Sequence, residues 1–196
     1  MALEGTDAPG ATPLEQEDIE QLIPDHIETR AELDEWEAQN IVQAMSTIRQ
    51  PKELLEDGFL RRLHRRMFEN TWTWAGEYRL RETNLGVAPF QIATAVRNLC
   101  EDAKVWRDQA VFPPDELAVR FHHQLVSVHP FRNGNGRHSR LAADLLIESL
   151  GRPRFAWGRS NLVKPSETRQ RYLDSLRKAD KGEIQPLLEF ARSHQK

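Results

Sequence analysis

The chain predicts an all-α domain, on three observations. Apolar residues recur at three- and four-residue intervals over most of its length, the stretches between them carry helix-start and helix-stop residues, and only one short region lacks a helical period. From about Thr29, Leu33, Trp36, Asn40, Ile41 and Ala44 trace one face of a helix that ends before Pro51. Leu54 to Phe68 repeats the pattern through Leu55, Phe59, Leu63 and Met67. Thr71 to Ile92 is the exception: Trp72, Trp74, Gly76 and Tyr78, then Thr83 to Phe90, mix aromatics with turn formers and predict a turn and a small β-hairpin.

Ala93 to Gln109 returns to helix through Val96, Leu99, Ala103 and Trp106. Pro113-Pro114, with Asp115 and Glu116 at the positive end of the dipole, opens the next, which buries Leu117, Phe121, Leu125 and Val128. That helix meets His129-Pro130, and a residue before proline is pushed out of the helical region, so the chain must turn at His129. The helical period resumes from Arg137 through Leu141, Leu145 and Ile147 to Leu150, and Gly151 supplies a stop. A helix after Pro165-Ser166, with Ser166 as N-cap and Tyr172, Leu173 and Leu176 inward, and a last one from about Ile184 to Ser193 complete the order.

At 196 residues the chain suits one main domain, read as residues 25–196, behind a flexible lead-in of residues 1–24 whose Gly, Pro, Thr and acidic side chains show no sustained period. Hydrophobic residues make up 39% and no apolar run approaches the roughly 20 residues that span a bilayer, so a membrane protein is not expected. A start without a basic, apolar signal and the single Cys100 fit a reducing cytoplasm. A formal charge of −3 gives no overall pull toward nucleic acid, so any anion site must be local.

That local site is the segment His129 to Arg140, His-Pro-Phe-Arg-Asn-Gly-Asn-Gly-Arg-His-Ser-Arg. Gly134 and Gly136 permit close backbone geometry, so the N–H groups of Gly134 through Arg137 can converge as an anion nest at the start of the next helix. Arg137 and Arg140, three apart on one helical face, can each fork across phosphate oxygens. His129, with an ordinary pKa near 6.5, can take a proton from an attacking hydroxyl. Phe131 anchors the loop to the core, and the Asn133 and Asn135 amides can reach a metal, a phosphate oxygen or the loop backbone. A glycine turn, a lone His or an exposed Arg pair is by itself usually structural; their order within one span makes the segment a candidate site.

This span resembles the signature of Fic-domain proteins, His-Pro-Phe-x-Asp/Glu-Gly-Asn-Gly-Arg-x-x-Arg, at every fixed position except Asn133. Leu63 to Phe68 and Trp74 to Arg79 resemble the family's upstream helix and turn, and the whole is similar to a bacterial subgroup found beside mobile elements, often with a small helix-turn-helix partner. The resemblance implies an α-helical Fic fold with a β-hairpin flap at Thr83, Asn84, Leu85, Gly86 and Val87, whose backbone would align a target chain. It implies AMP transfer from ATP to a Ser, Thr or Tyr hydroxyl of a target protein, with His129 as base, Gly134, Asn135 and Gly136 around the α and β phosphates, Arg137 on β and γ, and Arg140 on γ. Where the family has an acid ligating Mg²⁺, Asn133 offers one neutral oxygen and should hold the ion weakly.

Many members are silenced by a helical glutamate on the second signature arginine. Here Glu37 stands in a similar register, with Leu33 and Ala38 breaking the pattern, and reads either as a solvated helical residue or as a brake on Arg140. An antitoxin-like partner is the external alternative. Rival functions are transfer of UMP, phosphate or phosphocholine, and a nucleotide-binding regulator with little turnover; DNA binding by the chain itself has no support in its charge. His64, His122, His123 and His138 form no metal-ligand pattern, Cys100 reads as a small buried hydrophobe, and Trp72, Trp74 and Trp106 as core.

Overall fold

The computed structural model describes residues 13–48, 53–159, 162 and 166–193. Pro51 and Pro165, expected as helix punctuation, and the first twelve residues of the lead-in lie outside them. Eight helices follow in the described residues: α1 (Gln16–Ile19), α2 (Arg30–Thr47), α3 (Asp57–Phe68), α4 (Ile92–Asp108), α5 (Pro114–Val128), α6 (Asn135–Ser149), α7 (Glu167–Ala179) and α8 (Gln185–Arg192). Short 3₁₀ turns at Pro89–Gln91 and Trp157–Arg159 interrupt the connections.

Each boundary has a local cause. Thr29 caps α2 by accepting from Glu32 N–H while the Glu32 carboxylate accepts from Thr29 N–H, a reciprocal box. Ser166 caps α7 by accepting from Arg169 N–H, without the reciprocal bond. The helix expected from Leu54 begins at Asp57, because Leu54 and Leu55 are buried in the turn before it. α6 begins at Asn135, two residues before the expected Arg137, because Gly134 takes a left-handed conformation and starts the helix there.

α5 and α6 pack together at the centre, α4 covers α5, α3 lies against α2, α4 and α6, and α7 with α8 closes the other side. Phe121, Ala142, Ala143 and Ile147 are fully buried between them. Trp72 and Trp74 stack at 5.1 Å and are 1% and 2% exposed, so they are core as expected.

Residues 13–24 carry structure rather than a loose lead-in. α1 places Asp18 in full burial, Ile23 N–H donates to Thr71 O and Thr73 N–H donates to Gln21 O, which fastens this segment beside Trp72. No described helix is long and apolar enough to cross a membrane.

The expected β-hairpin is not formed: no paired strand occurs among the described residues, and 81–88 runs as an irregular loop. Several of its backbone groups bond elsewhere. Arg79 takes the carbonyls of Arg81 and Val87, Thr83 Oγ donates to Leu85 O, and Val87 N–H donates across to Val128 O.

Candidate active site

α5 ends where Pro130 forbids its continuation, and His129 enters the left-handed region at φ 54°. That conformation costs a non-glycine residue about 1–3 kcal/mol and persists only if the surroundings enforce it. Arg79 does so: its Nε donates to His129 O at 2.7 Å and its main-chain N–H donates to Pro130 O at 3.0 Å.

The next turns are pinned from inside. Phe131 is fully buried and stacks on the His64 ring at 3.8 Å. Asn135 spends both ends of its amide on Phe131, accepting from its N–H at 2.9 Å and donating to its O at 2.8 Å. Of the partners foreseen for Asn135, its side chain takes the loop backbone. Gly134 has φ 77°, and a Cβ there would stand 2.5 Å from the Phe68 ring, so only glycine fits.

His129 is 7% exposed, and burial first, with the nearby Arg79 cation, lowers its pKa to about 4. The imidazole is therefore neutral at cellular pH more completely than an ordinary histidine. Its Nδ1 lies 3.4 Å from Val126 O; a carbonyl only accepts, so Nδ1 carries the proton and Nε2 the lone pair of a base.

At the far end of the loop, α6 presents its first turn. The N–H groups of Asn135, Gly136 and Arg137 have no intrahelical acceptor and, with the helix dipole, favour an anion. The expected nest loses one member, because Asn133 Oδ1 accepts from Gly134 N–H. The same oxygen lies 3.4 Å from Arg137 Nη2, a cation that opposes a second cation there. Among the described residues no group of three His, Cys, Asp or Glu could hold a metal. The residues present do not fit a loop-held Mg²⁺.

Glu37 is neither solvated nor paired with Arg140. It is 1% exposed, accepts from Trp72 Nε1 at 2.7 Å, and its other oxygen lies 2.7 Å from Arg137 Nη1. One helical turn separates Leu33 from Glu37, and seven residues separate Glu37 from Ala44, so the carboxylate rides the buried stripe of α2 toward α6. The cation that takes it is Arg137, the nearer arginine to the helix start. Arg140 lies over the Tyr172 ring instead, 5.2 Å from its centroid.

The flap residues Thr83 to Val87 reach the loop from the other side. At Gly86, φ 102°, a Cβ would come within 2.6 Å of both Arg79 Nη2 and His129 Cβ, so the flap backbone rests on the base.

Three residues to which the sequence assigned no role in the site hold this arrangement. Arg79 is one. His64 is the second: its Nδ1 accepts from Gly76 N–H at 3.0 Å, which puts the proton on Nε2, and that donates to Asn133 O at 3.1 Å. Asp18 is the third, fully buried, paired with Arg81 at the root of the flap and with Arg132 of the loop at 3.5 Å. Local sequence carries no signal for them: Asp18 lies among Glu15, Glu17 and Glu20, and His64 among Arg61, Arg62, Arg65 and Arg66. His138 and His122 are structural: His138 Nε2 donates to Leu60 O at 2.9 Å, and His122 meets Tyr172 Oη at 3.1 Å. Burial pushes the Cys100 thiol up to about 12, an inert small hydrophobe.

Residues 54–147, from the turn before α3 into α6, match the model of the Fic/DOC family. Over this stretch the chain is similar to the Fic/DOC family. Protein adenylyltransferase fic-1 of Caenorhabditis briggsae is 30% identical over 137 residues, which span 67% of this chain and 25% of that protein. Protein adenylyltransferase Fic of Aedes aegypti is 35% identical over 80 residues, 41% of this chain and 15% of that protein. This chain thus matches a quarter or less of the length of either relative. The BepC protein of Bartonella tribocorum, solved with AMPPNP bound, has the same fold at a TM-score of 0.67 and 18% identity, over 87% of this chain and 90% of that one. Fic-1 of Caenorhabditis elegans aligns at 0.66 with 24% identity, over 87% and 50%. The Fic fold of these proteins accounts for the helical architecture around the 129–140 loop.

Proposed function

We propose that this Fic domain transfers AMP from ATP to a hydroxyl of a target protein. One observation carries the reading: a single pinned loop joins the buried imidazole at the end of α5 to the N-terminus of α6. The two relatives named protein adenylyltransferases support the choice of AMP.

In this reading His129 Nε2 accepts the proton of a Ser, Thr or Tyr hydroxyl as its oxygen attacks the α-phosphorus in line. The bond from that phosphorus to the bridging oxygen breaks, and pyrophosphate leaves with the electron pair. The Asn135, Gly136 and Arg137 N–H groups bind the α and β phosphates, and the Arg137 and Arg140 guanidiniums take the outer oxygens. Thr83 to Val87 align the target backbone above Gly86. Asn133, whose side-chain oxygen accepts from Gly134 N–H, would be a poor ligand for a Mg²⁺ brought in with ATP.

Glu37 then acts as an internal brake, because it occupies the guanidinium that the phosphate tail needs. A small helix-turn-helix or antitoxin-like partner, as in the mobile-element subgroup, would be an external brake. The occupied Arg137 and the missing acid at Asn133 also favour a second reading, a nucleotide-binding regulator with little turnover. Incubation with α-labelled ATP, α-labelled UTP, γ-labelled ATP and labelled CDP-choline separates these. The proposal expects protein labelling from α-labelled ATP alone. Labelling from the γ position, from UTP or from choline replaces AMP with another group, and binding without labelling in Glu37→Gly favours the regulator.

A further inference from the structure

Arg79 is 1% exposed, yet each acceptor of its guanidinium is a main-chain carbonyl: Arg81 O at 2.9 Å from Nη1, Val87 O at Nη2, and His129 O at 2.7 Å from Nε. A cation is buried at high cost unless its donors are satisfied, and hydrogen bonds to a charged group are the strong ones. A side chain needed only for packing could satisfy its fork anywhere. Here two of the carbonyls bracket the flap and the third belongs to the base itself.

We infer that Arg79 is a positioning residue that couples the flap to the catalytic loop, so that the edge on which a target would lie and the imidazole that would deprotonate it hold one fixed relation. Three further contacts tighten the same joint. Arg79 N–H donates to Pro130 O, Val87 N–H donates to Val128 O at 3.2 Å, and Gly86 sits too close to Arg79 and His129 for a Cβ. Lifting the flap removes two acceptors from a buried guanidinium at once, so an open flap and an ordered His129 carbonyl exclude each other. The coupling rests on the AMP-transfer reading for its purpose but not for its measurement. Arg79 is the charged group set against His129, and Glu82 stands behind Arg79.

The test uses Arg79→Lys, which keeps the charge but has no fork, and Arg79→Gln, which loses both; Arg79→Lys serves if Arg79→Gln does not fold. Amide exchange at Val87 is expected to rise about tenfold or more in both variants, as a local opening replaces a closed flap. The His129 ring, titrated by NMR, should shift upward in Arg79→Gln, because an opened flap exposes a ring that burial first, and the Arg79 charge last, hold below its ordinary value. AMPPNP affinity should stay within about twofold, since Arg79 lies apart from the α6 nest. Wild-type exchange at Val87 together with an unmoved His129 titration overturns the inference. So does a parallel loss of AMPPNP binding, which makes Arg79 a general support of the fold. If no AMP transfer occurs in any variant, the functional reading falls while exchange and titration still decide the coupling.

Discussion

At the scale of single residues, the site depends on which atom of a side chain bonds to what. His64 is the clearest case, because its two ring nitrogens do different jobs: one accepts from the Gly76 turn and one donates to the Asn133 carbonyl of the loop. Gln places an amide nitrogen where Nε2 stands, whereas Asn reaches only the Nδ1 position. His64→Gln should therefore retain most of the AMP-transfer rate, and His64→Asn should lose it about tenfold or more while both are destabilised by about 1–3 kcal/mol for the unmet partner. Rates of α-label transfer beside thermal unfolding check this; equal rates in the two variants would show that the Nε2 bond does not position the loop. Much at this scale was legible, since His129, Phe131, Gly134 and the arginines are named by one contiguous span. Arg79, His64 and Asp18 were not, because their partners are 50, 69 and 63 residues away along the chain. Periodicity reports burial and says nothing of such bonds.

At the scale of elements, α2 and α6 are joined by the Glu37–Arg137 pair, and the flap is held by carbonyl acceptors instead of a ladder. Helix order was readable because apolar spacing and caps are local; the flap was not, because a buried guanidinium outcompeted strand pairing. Glu37 was misplaced for a related reason: a carboxylate on an apolar stripe looks solvated until a cation is seen opposite. Glu37→Gly should raise AMPPNP affinity about tenfold, since a phosphate replaces the carboxylate on Arg137 without competition. The same variant should lose about 2–4 kcal/mol of stability, as Trp72 Nε1 loses its acceptor and the helix gains a glycine. Calorimetric titration and denaturant unfolding give the two numbers. Unchanged affinity would mean that Glu37 is a structural ion pair and no brake.

At the scale of the whole molecule, His64, His122, His129 and His138 are all buried and held below their ordinary pKa, first by burial. A histidine that is neutral when folded but protonates when unfolded makes the unfolded state the better proton binder between the two pKa values. Stability from this source is fully present above about pH 6.5 and is lost as pH falls toward about 4, where His129 and His138 titrate in the fold. Each such histidine adds up to about 1.4 kcal/mol per pH unit to the slope. Urea unfolding at pH 7.5, 6.0 and 5.0 should show that decline, and His138→Gln should flatten it. A profile flat across this range would mean that the buried rings take up protons without unfolding.

The central claim is that His129 supplies the base while the α6 terminus and its arginines hold the nucleotide. The most direct measurement is single-turnover transfer from α-labelled ATP in the Glu37→Gly background, with and without His129→Ala, beside AMPPNP binding by both proteins. The account predicts labelled protein only when His129 is present, with nucleotide affinity alike in the two. Equal labelling without the imidazole, or no nucleotide binding in either protein, would contradict it.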